Sequence, residues 1–99
     1  MNTAYRTAFR EWFGVPPAEA DILVALYTAR GGLMRDHQIA KFAAISLSTV
    51  KRRICTLREA LESEAIDCER GAGYRLTDTG MAECRAVLWQ MGEELRAAS

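Results

Sequence analysis

Apolar residues near the start of the chain recur every three or four positions, the period of an α-helix that buries one face. In residues 1–13 they are Tyr5, Ala8, Phe9, Trp12 and Phe13. Gly14 and the Pro16-Pro17 pair end this pattern, because the residue before a proline is steered away from helical backbone angles. A second helix is predicted to begin at Pro17 and to stop at Gly31-Gly32. Its buried side is predicted to consist of Ile22, Leu23, Leu26 and Tyr27.

The middle of the chain predicts two helices separated by a tight turn. Asp36 is a suitable N-cap for a short helix over His37 to Ala44. Ser46 or Ser48 can cap the next helix, which is predicted to continue to about Ser63. The apolar stripe of that long helix consists of Val50, Ile54, Leu57 and Leu61. Because these positions share one face, the residues predicted to face the other way are Ser48, Thr49, Arg52, Cys55, Thr56 and Glu59.

Alternation of apolar and polar residues replaces the helical period after Ala65. Ala65 to Arg70 is predicted to be a strand, Gly71-Ala72-Gly73 a tight turn with positive φ angles, and Tyr74 to Thr77 the returning strand. A last helix over residues 78–97 follows. Its apolar residues alternate at three and four positions: Met81, Cys84, Leu88, Met91 and Leu95.

These elements predict a mainly α-helical fold with one small β-hairpin. A helix, the short extended segment Leu33-Met34-Arg35, two helices joined by a tight turn, and a hairpin follow one another. This order is typical of the winged helix-turn-helix, here with additional N- and C-terminal helices. We therefore expect a single domain over residues 1–99, divided into an N-terminal helix (1–13), a winged core (17–77) and a C-terminal helix (78–97).

Composition and net charge argue against several classes of protein. The chain has 99 residues, with thirteen Lys and Arg against thirteen Asp and Glu, so its formal net charge is zero. A neutral chain does not attract nucleic acid through its bulk charge. No apolar run approaches the ~20 residues of a membrane helix, and the first residues lack the pattern of a secretory signal. We expect a cytoplasmic protein that does not enter a membrane.

The charge is unevenly distributed, which changes this picture. Residues 46–58 hold four cations and no acid, whereas residues 59–69 hold five acids and no cation. The cations lie where a winged helix inserts its recognition helix into the major groove, and two arginines flank the hairpin turn, where a wing meets phosphates or the minor groove. The predicted DNA-binding residues are Ser46, Ser48, Thr49, Lys51, Arg52, Arg53, Arg70 and Arg75. The alternative is that Lys51-Arg52-Arg53 is merely a solvated helix face.

Three segments resemble known bacterial proteins. Leu57 to Thr77 (LREALESEAIDCERGAGYRLT) resembles the end of the OmpR/PhoB-type effector domain, in which the recognition helix leads into a strand, a wing and a closing Gly-x-Gly-Tyr-Arg-Leu. SLSTVKRRI (46–54) and YRLTDTG (74–80) resemble parts of small bacterial or phage winged-helix regulators. The resemblance covers residues 17–80 and implies sequence-specific binding of double-stranded DNA by a transcriptional regulator. It does not extend to response regulation, because these 99 residues hold no receiver domain and begin with a helix instead of strands.

The two amphipathic helices that flank the winged core predict a homodimer, since a core of this size does not require both. A dimer would place two DNA-binding surfaces on two half-sites. The predicted interface residues are Tyr5, Phe9, Trp12, Leu88, Met91 and Leu95. The alternative is that the same side chains pack on one another within one monomer.

No motif points to catalysis, a cofactor or a metal. The sequence has no phosphate-binding glycine motif, no HExxH pair and no serine in a nucleophile elbow. Cys55, Cys68 and Cys84 lack metal-ligand spacing, so we interpret them as buried or half-buried thiols, with a redox sensor as the alternative. His37 is either an ordinary exposed histidine or a phosphate contact. The alternative function is a winged-helix protein-interaction module, a phage or plasmid factor that binds a host protein.

Overall fold

The computed structural model describes residues 3–98, and the side chains of residues 3–92. The described residues form five α-helices and one two-stranded antiparallel hairpin, so the fold is mainly helical with a small hairpin, as the sequence predicted. In chain order the elements are α1 (Thr3–Phe13), α2 (Pro17–Thr28), α3 (Asp36–Ala43), α4 (Val50–Ala60), β1 (Ile66–Glu69), β2 (Gly73–Leu76) and α5 (Asp78–Ala98). Among these residues, no helix has the length and apolar character needed to cross a membrane.

α2 lies at the centre of the fold and is buried on nearly all sides. It packs against α1, α3, α4 and β2, and every residue from Glu19 to Leu26 is buried. The prediction of a single buried side is therefore too narrow, since Val24 and Ala25 are buried as well, while Tyr27 is only half-buried. Two carboxylates enter the interior with this helix, and each is paired with an arginine from another helix.

Local signals set the boundary between α1 and α2. Gly14 has a φ angle of 66°, and its N–H donates to the Arg10 carbonyl at 2.9 Å, which closes α1. Pro17 is the first residue of α2, a position where the missing N–H costs no intrahelical hydrogen bond. Both boundaries agree with the sequence prediction.

α3 begins one residue before the predicted helix. Arg35, not Asp36, is the N-cap residue, and its backbone N–H donates to Gln38 Oε1 at 2.8 Å. At the other end Ala44 adopts the left-handed conformation with a φ of 56°, so it terminates α3 and turns the chain toward α4. Asp36 instead occupies the first turn, where its negative charge interacts favourably with the positive end of the helix dipole.

α4 is shorter than predicted. A 3₁₀ turn, Leu47–Thr49, precedes it, and its last residue is Ala60 rather than about Ser63. Beyond that point the Glu62 N–H donates to both carboxylate oxygens of Glu83 in α5, at 3.0 and 3.2 Å. This contact with α5 holds the chain just beyond the end of α4, where Leu61 is already extended.

The hairpin is joined to the segment between α2 and α3. Gly71 and Gly73 have φ angles of 81° and 126°, as the predicted turn requires. Met34 and Tyr74 form an antiparallel bridge, with N–H to carbonyl distances of 2.8 and 2.9 Å. The two backbones pass so closely that a Cβ atom on Gly73 would lie 2.2 Å from the Met34 carbonyl oxygen. The predicted extended segment at Met34 is therefore anchored to the hairpin.

The two terminal helices, α1 and α5, pack against each other within the chain. Phe9 is fully buried in the core, with Tyr5, Leu88 and Met91 packed against the same cluster. Phe9 must therefore be removed from the predicted dimer interface, because a side chain enclosed by its own chain cannot contact a partner. The side chain of Leu95 lies outside the described residues.

Candidate nucleic-acid interface

Most of the predicted DNA-binding residues lie on one surface around the start of α4. We call residues 46–52 the α4 tip. Ser46, Ser48, Lys51 and Arg52 are exposed there, and Thr49 is half-buried. On the opposite face, Val50, Ile54 and Leu57 are buried in the core. The apolar stripe thus orients α4 and turns its polar side chains toward solvent.

Hydrogen bonds within the α4 tip hold its turn in shape. Thr49 Oγ1 and the Thr49 N–H both donate to the Ser46 carbonyl, at 2.9 and 3.1 Å. Ser46 Oγ lies 3.3 Å from Thr49 Oγ1 and 3.4 Å from Ser48 Oγ. Thr49 is therefore engaged in maintaining the turn. The hydroxyls of Ser46 and Ser48 remain exposed and keep lone pairs for a ligand.

Arg53 lies on the inner side of α4, away from the exposed surface of the tip. Its Nη1 donates to Glu19 Oε1 of α2 at 2.5 Å, and the two side chains are 29% and 5% exposed. This arginine compensates a carboxylate that α2 carries into the interior. Of the three consecutive cations, Lys51 and Arg52 are the two that face solvent.

The two hairpin arginines have different surroundings. Arg75 Nη2 pairs with Asp67 Oδ2 at 3.2 Å across the strands, and both side chains are roughly half exposed. Arg70 is exposed at the turn beside Gly71, and it forms no ion pair within the part of the chain that the structure describes. Arg70 is therefore the hairpin cation better placed to meet an anion.

A fourth cation of the acid-free segment joins α4 to the hairpin. Arg58 Nη2 donates to the Ile66 carbonyl at 3.0 Å. This bond links the exposed side of α4 to β1, so the hairpin is held beside the helix that carries the α4 tip.

An open groove of about 410 Å³ lies between the hairpin and the first residues of α3 and α4. Its charged lining residues are Arg35, Asp36, Lys51, Glu69 and Arg70. Arg35 was missed by the sequence reasoning, because it precedes α3 and reaches the hairpin only through the bridge between Met34 and Tyr74. His37 also lines this groove, next to two cations that the sequence predicted for DNA binding.

The three cysteines are free and lie in different surroundings. Cys55 and Cys68 are exposed, which corrects the expectation of buried or half-buried thiols, and Cys84 is buried. Burial raises the pKa of the Cys84 thiol to about 12, with the nearby charge of Glu83 as a smaller cause. Within the described residues, no three His, Cys, Asp or Glu side chains form a group that could hold a metal ion.

Burial raises the pKa of three further groups. These are the Tyr74 hydroxyl beside the groove and the carboxyls of Asp21 and Glu83. Attraction to Arg6, which pairs with Asp21 at 3.0 Å, opposes the shift of the Asp21 pKa without cancelling it.

Three of the remaining residues of the predicted dimer interface, Tyr5, Leu88 and Met91, lie at an apolar groove between α1 and α5. This groove has a volume of about 420 Å³ and is lined by Tyr5, Ala8, Leu88 and Met91, among others. Trp12 of α1 is 50% exposed. The packing of α1 on α5 within one chain leaves this surface open on its outer side.

Exposed hydroxyls, cations and a groove thus lie together on one side of the molecule. Hydroxyl groups bond phosphate oxygens or bases, and ammonium and guanidinium groups neutralise phosphates, so the α4 tip, which holds no acid, is suited to a polyanion, while Asp36 and Glu69 line the groove beside it. No protein-family model, curated protein or solved structure matches the chain. The side chains of the α4 tip and the groove are therefore the basis for proposing a function.

Proposed function

We propose that this protein binds double-stranded DNA sequence-specifically as a winged helix-turn-helix and acts as a transcriptional regulator. In this proposal α3 supports α4, the α4 tip enters the major groove, and the hairpin is the wing that meets the flanking backbone or minor groove. The observation that carries the proposal is the segment of residues 46–58. It contains no acid, and its exposed tip combines two hydroxyls with Lys51 and Arg52.

Each exposed side chain has a distinct task in this proposal. Arg52 is suited to paired hydrogen bonds with a guanine, which read sequence. Lys51 and Arg70, on opposite sides of the groove, contact phosphates and fix the register of the protein on the duplex. Because the net charge is zero, bulk attraction adds little, and affinity depends on these placed contacts.

We further propose that the protein binds DNA as a homodimer through the surface between α1 and α5. The apolar groove there and the half-exposed Trp12 supply contact area away from the α4 tip. Two copies related by a two-fold axis would place two α4 tips on two half-sites, which multiplies modest individual affinities.

The proposal is tested by selecting bound sequences from a random duplex pool and measuring affinity for the selected duplex across a salt series. We expect log affinity to fall with log salt at about 0.9 per phosphate contact. Arg52→Ala should reduce discrimination between the selected and random duplexes, because it removes a base contact. Arg10→Ala is the matched control, since Arg10 is exposed on α1, away from α4.

Failure of the folded protein to bind any duplex at low salt would contradict the proposal. An equal loss of discrimination with Arg10→Ala and Arg52→Ala would contradict the assignment of Arg52. A palindromic selected sequence would support the homodimer, and a single half-site would argue for a monomer.

A winged-helix protein-interaction module is the second candidate. The apolar groove between α1 and α5 and the half-exposed Trp12 of α1 favour this function, because exposed apolar surface and aromatic side chains are typical of protein contacts. A protein docking surface would not require the exposed cations of the α4 tip. The same experiments therefore separate the two functions, since only DNA binding predicts both a steep salt dependence of duplex affinity and a sequence discrimination that Arg52→Ala reduces.

A further inference from the structure

One large apolar side chain is exposed within the otherwise polar α4 tip. Large apolar side chains that remain exposed in the described part of the chain are Trp12, Leu33, Leu47 and Trp89. Leu47 is 55% exposed, and it alone of these four lies in the acid-free segment of residues 46–58. Exposed serines precede and follow it.

The local structure holds Leu47 outward. The Val50 N–H donates to the Leu47 carbonyl, and the bonds between Ser46 and Thr49 close the same turn. Leu47 does not belong to the core cluster or to the partly buried residues packed against it, whereas Ile45, two residues earlier, does. Packing within the chain therefore does not explain why a leucine stands at this position.

We propose that Leu47 contacts the C5-methyl group of a thymine in the major groove, so that it reads a T·A pair in the bound sequence. The inference rests on the proposed function and names one base that the α4 tip recognises. The thymine methyl is the apolar group that the major groove presents, and an apolar side chain is the usual partner for it. Lys51 and Arg52 supply the charge complementarity that brings this turn against the duplex.

The surroundings of Leu47 favour DNA over a protein as the ligand. Protein contact sites are contiguous apolar patches of several hundred Å², whereas the neighbours of Leu47 at the tip are Ser46, Ser48 and Lys51, all exposed. A single apolar side chain set among hydroxyls and cations matches one methyl group set among polar base edges and phosphates.

Uracil substitution tests this contact directly, because deoxyuridine lacks the thymine methyl and keeps the hydrogen-bonding groups. Each thymine of the selected duplex is replaced singly by deoxyuridine, and the affinity of the full-length protein is measured. At one position in each half-site we expect a loss of about fourfold, the effect of removing one buried methyl group.

Leu47→Ala completes a double-mutant cycle. This variant should bind the thymine duplex about as weakly as the unaltered protein binds the uracil duplex, and it should no longer distinguish the two. Leu33→Ala is the matched control, because Leu33 is also exposed but lies outside the α4 tip. It should retain the full preference for thymine. Circular dichroism of both variants checks that the helices are intact.

The outcomes separate the two proposals. If the selected duplex is bound but no uracil substitution weakens binding, Leu47 reads no methyl group, while DNA binding stands. If Leu47→Ala keeps the preference for thymine, another residue reads the methyl and the inference is overturned. If the folded protein binds no duplex at low salt, the proposed function fails and the inference fails with it.

Discussion

Arg52 and Arg53 are neighbours with the same side chain, yet they have different roles in the fold. Arg52 is exposed at the α4 tip, whereas Arg53 pairs with Glu19, whose side chain is 5% exposed. A carboxylate inside a protein requires a partner, because the loss of its hydration is otherwise uncompensated. Arg53 therefore contributes to the stability of the α2–α4 contact, and Arg52 is left for a ligand.

Removing Arg53 should destabilise the protein by leaving Glu19 without its partner. We expect Arg53→Met to lower the free energy of unfolding by about 2 kcal/mol, somewhat less than for a fully buried pair because Arg53 keeps contact with water. Urea denaturation followed by circular dichroism measures the change. Arg52→Met, the matched control at an exposed position, should alter stability by less than about 0.5 kcal/mol.

A second variant tests the cause of that loss. Glu19→Gln combined with Arg53→Met should recover much of the lost stability, because it removes the uncompensated charge. Equal unfolding midpoints for the Arg52 and Arg53 single variants would show that the ion pair does not stabilise the fold.

At the level of elements, the hairpin depends on two glycines that are constrained differently. Both Gly71 and Gly73 have positive φ angles. A Cβ atom on Gly71 would meet nothing within 4 Å, whereas on Gly73 it would collide with the backbone of Met34. Gly73 thus serves both the turn and the close approach of the segment that carries Arg35 to the groove.

Alanine at these two positions should separate backbone strain from collision. Gly71→Ala should cost about 1 kcal/mol, the penalty of a left-handed angle for a residue with a side chain. Gly73→Ala should cost about 3 kcal/mol, because the strained backbone and the contact with Met34 add. Thermal unfolding of the two variants measures the difference. Equal losses of stability in the two variants would mean that the Met34 backbone can move away from residue 73 at no cost in free energy.

At the scale of the whole molecule, packing of the core leaves two of the three thiols exposed to solvent and buries the third. Cys84 of α5 is buried and its pKa is raised to about 12, while Cys55 and Cys68 lie on the outside of α4 and β1. Alkylation requires the thiolate and an open path to it. The reactivity of Cys84 therefore reports whether the packing of α5 on the core is intact, and the two exposed thiols serve as the reference.

We expect iodoacetamide to add to Cys55 and Cys68 in the folded protein at neutral pH and to leave Cys84 unmodified. The Cys84 thiolate is scarce at any pH well below 12, and the core blocks access to it. In urea a third adduct should appear. Mass spectrometry of alkylated peptides measures this pattern. Rapid labelling of Cys84 in the folded protein would show that α5 does not enclose it.

Much of the fold was predictable from the sequence, because its signals are local. The apolar period ends at Gly14 and Pro17 begins a new helix, which predicts the boundary between α1 and α2. Gly71 and Gly73 predict the turn of the hairpin. The contact that follows the end of α4 was not predictable, because it joins Glu62 to Glu83, twenty-one residues later in the chain. The candidate site divides in the same way: the α4 tip followed from its position in the chain, whereas Arg35 joined it through a contact across the fold.

The sequence by itself determined which segments are helices, which form the hairpin, and that cations gather ahead of an acidic stretch. These properties arise from spacing and from residues close together in the chain. Only the tertiary structure decided that Arg53 faces Glu19, that Phe9 lies in the core and that Leu47 stands exposed among hydroxyls. The reason is physical. The spacing of apolar residues along the chain predicts which face of a helix is buried, but the partner of a charge and the neighbours of an apolar side chain come from distant elements.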